Sequence, residues 1–169
     1  MKFRYLPAAL ALGLLATAPV TAYAATPAPV VGDPHPAAVA APYPAIDNGP
    51  TAFQAALARS KQSGKPVLAD FGGNWCPDCR LLAGTFELPA VQDWLSKNFE
   101  VVSINVGHFD ANMDLAQSHG VKITAVPTVL IITPDGRTLN PDGARELGHA
   151  RAMSSQAVVD LIAGWAGRS

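Results

Sequence analysis

The chain has 169 residues, a formal net charge of −1 and two cysteines. Discounting the first 24 residues, which carry Lys2 and Arg4 and no acid, leaves −3, a balance that gives neither nucleic acid nor an anionic membrane surface an electrostatic hold. Once the N-terminal tracts are set aside, about 120 residues remain, a length that fits a single domain with a sufficient core.

Residues 1–24 read as a signal peptide. Lys2 and Arg4 give a positive start, residues 6–20 an apolar core, and Ala22-Tyr23-Ala24 a small-x-small cleavage site. The apolar stretch is short for a span and is broken by Pro7, Gly13 and Pro19, which disfavours an uncleaved anchor. Residues 25–46 are rich in Ala and Pro and read as a linker without chemistry, extended and polyproline-like. Residues 47–169 form the predicted domain.

In that domain, helix and strand patterns alternate. Thr51 and Gln54 have capping-box spacing, Phe53, Ala56, Leu57 and Ser60 share a helical face, and Gly64 ends the helix. Residues 66–71 suit a buried strand, and the cysteine motif after it opens a second helix. A helix over 89–97 buries Val91, Trp94 and Leu95, a strand spans 100–106, and a helix over 110–119 stops at Gly120. A β-branched strand over 127–133 turns at Pro134-Asp135-Gly136 into a hairpin partner near 137–139. Ser154 caps a last helix whose inward residues are expected to be Ala157, Val158, Leu161, Ile162 and Trp165. The alternation predicts an α/β fold, a mixed sheet with helices on both faces.

Cys76 and Cys79 lie in Trp75-Cys76-Pro77-Asp78-Cys79-Arg80, directly after the first strand. A bridge over two intervening residues closes almost no loop and so stabilises little, which points to a redox-active dithiol instead of a staple. Zinc sites use the same spacing, so the pair alone is weak evidence.

Further residues in order strengthen it: Asp70 in the preceding strand, Trp75 before the first cysteine, Val126-Pro127-Thr128 entering a strand, and Gly148 before the last helix. With these features the region from about Thr51 to Ala166 resembles the thioredoxin family. The stretches Phe71-Gly72-Gly73-Asn74-Trp75-Cys76-Pro77-Asp78-Cys79 and Val106-Gly107-His108-Phe109-Asp110 are similar to exported bacterial thioredoxin-like proteins.

The resemblance implies a thioredoxin fold and cofactor-free disulfide exchange. Cys76, at the helix N-terminus, is the expected nucleophile because unpaired N–H groups and the helix dipole favour its thiolate. Cys79, one turn further in, is the expected resolving thiol. Asp70 would take the Cys79 proton, the plainer reading being a hydrated strand-end carboxylate. Pro127 matches the family's cis-proline, so Trp75, Val126, Pro127 and Gly148 would form a shallow substrate groove; Trp75 alone also suits a core position. Four residues would tune Cys76: Pro77 at the helix start, Asp78 opposing the thiolate, Arg80 offsetting Asp78 unless it points to solvent, and His108 in a loop beside the site, where a purely local hydrogen bond is the simpler role.

The expected function is that of a periplasmic thiol-disulfide oxidoreductase, a monomer acting on protein thiols and disulfides. Asp78 inclines it toward reduction or isomerisation, which in an oxidising compartment requires a membrane electron donor. The alternatives are copper(I) binding, with His108 completing a site on the two thiolates, and a binding module with a vestigial dithiol.

Overall fold

The structure, a computed structural model, describes residues 26–32 and 36–168. The expected signal peptide lies outside the described residues. Among them, no helix is long and apolar enough to cross a membrane.

Strand β1 (Val67–Gly72) is buried along its whole length and forms the centre of a three-stranded sheet of order β2-β1-β3. It pairs in parallel with β2 (Glu100–Asn105) and antiparallel with β3 (Thr128–Ile132). Side chains alternate along a strand, so β1 feeds two cores. Val67, Ala69 and Phe71 pack with Phe53 and Ala56 of α1 (Gly49–Ser63) and Ala116 of α4 (Met113–Gln117). Leu68 packs with Leu82 of α2 (Pro77–Phe86), Trp94 of α3 (Pro89–Asn98) and Ile162 of α5 (Ser155–Ala166). This is the thioredoxin-like arrangement, a mixed sheet flanked by helices.

Several boundaries move for identifiable reasons. Helix α1 begins two residues before Thr51, with Pro50 in its first turn where a missing N–H costs nothing, and the Asn48 side chain does not cap it. The helix expected over 110–119 shrinks to Met113–Gln117. Asn112 takes a left-handed φ of 55° while its Nδ2 donates to Ile46 O and Asn105 O, so the first turn is spent on a loop.

The hairpin partner expected near 137–139 is reduced to a single bridge between Ile132 and Thr138. Beyond it the fully buried Asn140 replaces a strand: its Oδ1 accepts from Ile131 N and its Nδ2 donates to Val129 O. On α5, Ala157 faces solvent and Val159 takes the inward place.

The largest departure is the Ala/Pro tract, which is docked and not a free linker. Thr26 N donates to Asn98 Oδ1, Val31 N to Gln156 Oε1, Val39 N to Arg80 O and Tyr43 N to Asn74 Oδ1. Gly84 makes the crossing of α2 possible, since a Cβ there would collide with the Ala37 carbonyl. The tract has few apolar side chains to bury, but its proline-rich backbone is already extended and loses little entropy on docking.

Candidate active site

Cys76 ends the β1–α2 connection in extended conformation and is the N-cap of α2. Its Sγ accepts from Cys79 N at 3.2 Å, the role an Asp or Ser oxygen usually plays at a helix start. Pro77 follows in the first turn, where no donor is needed. Cys76 and Cys79 are joined as a disulfide with Cα atoms 5.3 Å apart.

Cys76 is only 3% exposed, less open than a helix tip suggests, whereas Cys79 is fully buried. Cys79 is the more buried of the two, as expected from its place one turn into the helix. A partner can reach Cys76 only through its small exposed area.

Across from the cysteines the Val126–Pro127 peptide is cis, and Val126 O lies 3.5 Å from Cys76 Sγ. Gly148 sits next to Ala125, with a Cβ placed there 3.9 Å from Ala125 Cβ. Trp75 is not a core residue: it is 43% exposed, and its Nε1 donates to Gly107 O at 2.7 Å. His108 stacks on its ring with centroids 5.0 Å apart, and Phe109, 40% exposed at a φ of 68°, flanks it.

Of the four residues expected to tune Cys76, Pro77 keeps the helix-start position and the other three make other contacts. Asp78 accepts from Arg151 N and Arg151 Nε, both at 2.9 Å, so its charge is met by a cation. Arg80 neither offsets Asp78 nor points freely to solvent; its Nε donates to Val39 O. His108 is occupied with Trp75, and its backbone N donates to Asp110 Oδ1. His108, the residue expected to complete a copper(I) site, is stacked on Trp75, and among the described residues no three His, Cys, Asp or Glu side chains form a metal-holding group.

Asp70 is buried on the β1 face that also carries Leu68. Its Oδ2 accepts from the Tyr43 hydroxyl at 2.7 Å, and its Oδ1 has no hydrogen-bond partner among the described residues. Burial raises the carboxyl to about 7, against a smaller lowering by the Tyr43 bond. Burial, then the Asp70 charge, pushes the Tyr43 phenol well above 10. A strand-end carboxylate hydrated by solvent does not describe this group.

Sequence reasoning missed Tyr43, Asn74, Phe109 and Arg151. Tyr43 had one signal, being the sole large side chain in 36–45. The Asp78–Arg151 contact spans 73 positions and left none.

Two outcomes follow from these charges. Because the Asp70 carboxyl titrates higher folded than unfolded, its stabilisation is complete below about pH 4 and is lost as pH rises through about 7. Unfolding of the oxidised protein in urea should show wild type losing about 4 kcal/mol relative to Asp70→Asn over that window; a difference constant with pH contradicts the assignment. Arg151→Met uncovers the Asp78 charge beside Cys76, disfavours the thiolate and so the reduced form, and should shift the couple by about 10 mV to more negative values against glutathione; a shift to more positive values contradicts it.

Residues 49–134 match the family model described as thioredoxin-like. The crystal structure of a disulphide isomerase from Xylella fastidiosa Temecula1 superposes with a TM-score of 0.67 at 38% identity, covering 73% of this chain and 95% of that one. A thioredoxin of Griffithsia pacifica is 36% identical over 81 residues, 48% of this chain and 65% of that protein. Bloodstream-specific protein 2 of Trypanosoma brucei brucei is 28% identical over 100 residues, 59% of this chain and 19% of that protein. The chain thus spans less than two thirds of the length of these two curated relatives, and about a fifth of the trypanosome protein. Taken with the fold and the paired cysteines, these matches place the chain in the thioredoxin-like family.

Proposed function

We propose that the protein is a thiol-disulfide oxidoreductase acting on protein disulfides, working in the reducing or isomerising direction. The observation that carries this reading is the capping sulfur: Cys76 Sγ accepts the Cys79 N–H at a helix N-terminus, with the buried Cys79 bonded to it and the cis Val126–Pro127 peptide alongside. The donor that caps the helix also stabilises a Cys76 thiolate.

In the reduced protein the Cys76 thiolate attacks one sulfur of a substrate disulfide. A Cys76–substrate bond forms, the substrate S–S bond breaks, and one substrate thiolate leaves. Cys79 then gives its proton to Asp70 and attacks Cys76 Sγ, releasing the second substrate thiolate. Two electrons have passed to the substrate, and the protein holds the Cys76–Cys79 disulfide. An external dithiol must reduce it for another turnover.

In this reading Trp75, Val126, Pro127 and Gly148 form the substrate surface beside Cys76, and the Val126 backbone offers main-chain pairing to an extended peptide. The 38% identity with the Xylella disulphide isomerase supports the direction. Arg151 tempers the reducing bias expected from Asp78. Residues 1–24 support export to the periplasm, where a monomer in this role draws electrons from a membrane donor.

Insulin reduction with dithiothreitol tests the reading. Wild type should accelerate precipitation catalytically, and Cys76→Ser should return the rate to the protein-free background; equal rates for the two proteins would refute dithiol catalysis.

A further inference from the structure

The Tyr43 hydroxyl and Cys79 Sγ meet at Gly72, and that hydroxyl donates to Asp70 Oδ2. A Cβ on Gly72 would overlap the Tyr43 hydroxyl and lie 2.9 Å from Cys79 Sγ, so the phenol and the resolving sulfur crowd the same point. Only a glycine leaves room for both. Tyr43 is 3% exposed, and its hydroxyl is the single hydrogen-bond partner of the Asp70 carboxylate among the described residues.

The segment bearing Tyr43 is fixed to both sides of the cysteine pair. Asn74, two residues before Cys76, accepts from Tyr43 N at 2.9 Å and donates to Tyr43 O at 3.0 Å. Arg80, directly after Cys79, accepts from Val39 N through its carbonyl and donates to Val39 O through Nε, both at 3.0 Å. The segment is thereby held by the residues that frame the motif.

On the other side, Asp70 lines a cavity of about 490 Å³ that reaches the exposed side chains of Gln92 and Ser96. That cavity is open space beside this otherwise sealed residue.

We propose that Tyr43 is a positioning residue for disulfide exchange: its hydroxyl holds one oxygen of the Asp70 carboxylate and leaves the other to receive the Cys79 proton, so that release of the mixed disulfide depends on the docked N-terminal segment. The inference rests on the oxidoreductase reading above. In the step concerned, the proton of the Cys79 thiol passes to Asp70, the Cys79 thiolate forms a bond to Cys76 Sγ, and the Cys76–substrate bond breaks with the substrate leaving as thiolate. Asp70 afterwards returns the proton to solvent. A donor on Oδ2 favours the charged, accepting form of the carboxylate.

The titratable groups on this side of Asp70 are Tyr43, which is bonded to it, and Cys79 of α2, which crowds the Tyr43 hydroxyl at Gly72. Lys65, Glu87 and Glu100 face it across the cavity, with Lys65 and Glu100 paired to each other at 3.0 Å. Its strand neighbours Ser103 and Val129 do not titrate in this range. The Tyr43 hydroxyl is therefore the change that most directly moves the Asp70 titration.

The test uses the full chain loaded with a peptide thiol on Cys76 as mixed disulfide, and follows peptide release between about pH 5 and 9. Wild type should release with a midpoint set by Asp70. Tyr43→Phe should move that midpoint up by about one pH unit, making release roughly tenfold slower near neutral pH and restoring it at high pH. Asn74→Ala, which frees the segment and leaves the phenol intact, should move it in the same direction, and provides the readout should Tyr43→Phe not fold. In an Asp70→Asn background, Tyr43→Phe should change nothing further.

A rate lowered equally at every pH, with the midpoint unmoved, would mean that Tyr43 only fills space and would overturn the proposal. Failure of wild type itself to release the peptide would instead remove the oxidoreductase reading, and this inference with it.

Discussion

A sulfur atom closes the N-terminus of α2, and the rest of the site is arranged around that constraint. Helix starts leave N–H groups without internal partners, and one of them here is answered by Cys76 Sγ. The demand for a cap and the demand for a stabilised thiolate are met by one hydrogen bond. For this the chain must leave a buried strand, turn through Gly72 and Gly73, and enter the helix at Pro77. The fully buried β1 supplies the fixed platform, since a residue that occupies the centre of a sheet with core on both faces has little freedom to shift.

The same platform carries the structure's most expensive group. Asp70 interrupts an otherwise apolar strand, and a buried carboxylate lacking a full set of partners costs stability at neutral pH. Natural sequences place such conflicts at functional sites. Here the conflict is eased by a residue outside the sheet-and-helix core, because Tyr43 belongs to the docked segment. The segment's prolines remove backbone donors, and Thr26, Val31, Val39 and Tyr43 each place an N–H on a domain acceptor. Polar backbone pairing therefore does for this tract what apolar burial does for the helices.

The chemistry-bearing residues were legible because their signals are local. A CxxC after a strand, a Pro at the helix start and an Asp inside an apolar run can each be read within a window of ten residues, and the family resemblance ordered the distant pieces. Gly64 was legible for the same reason, and it ends α1 at a φ of 76°. What could not be read were contacts between remote positions. Tyr43 meets Asp70 across 27 residues, Arg151 meets Asp78 across 73, and a composition argument that weighed only apolar content left Tyr43 in a linker. The hairpin expected after β3 stops at the Ile132–Thr138 bridge, because beyond it the Asn140 side chain supplies the strand's hydrogen bonds itself.

The central claim is an asymmetry between two sulfurs one helical turn apart, the first accepting a helix N–H and slightly exposed, the second sealed. Alkylation of the fully reduced protein with iodoacetamide across a pH series, with modified peptides mapped by mass, measures it directly. The account predicts that Cys76 reacts first, with a midpoint below the ordinary thiol value of about 8.5, while Cys79 stays unmodified in the folded protein. Equal reactivity of the two, or earlier modification of Cys79, would contradict it.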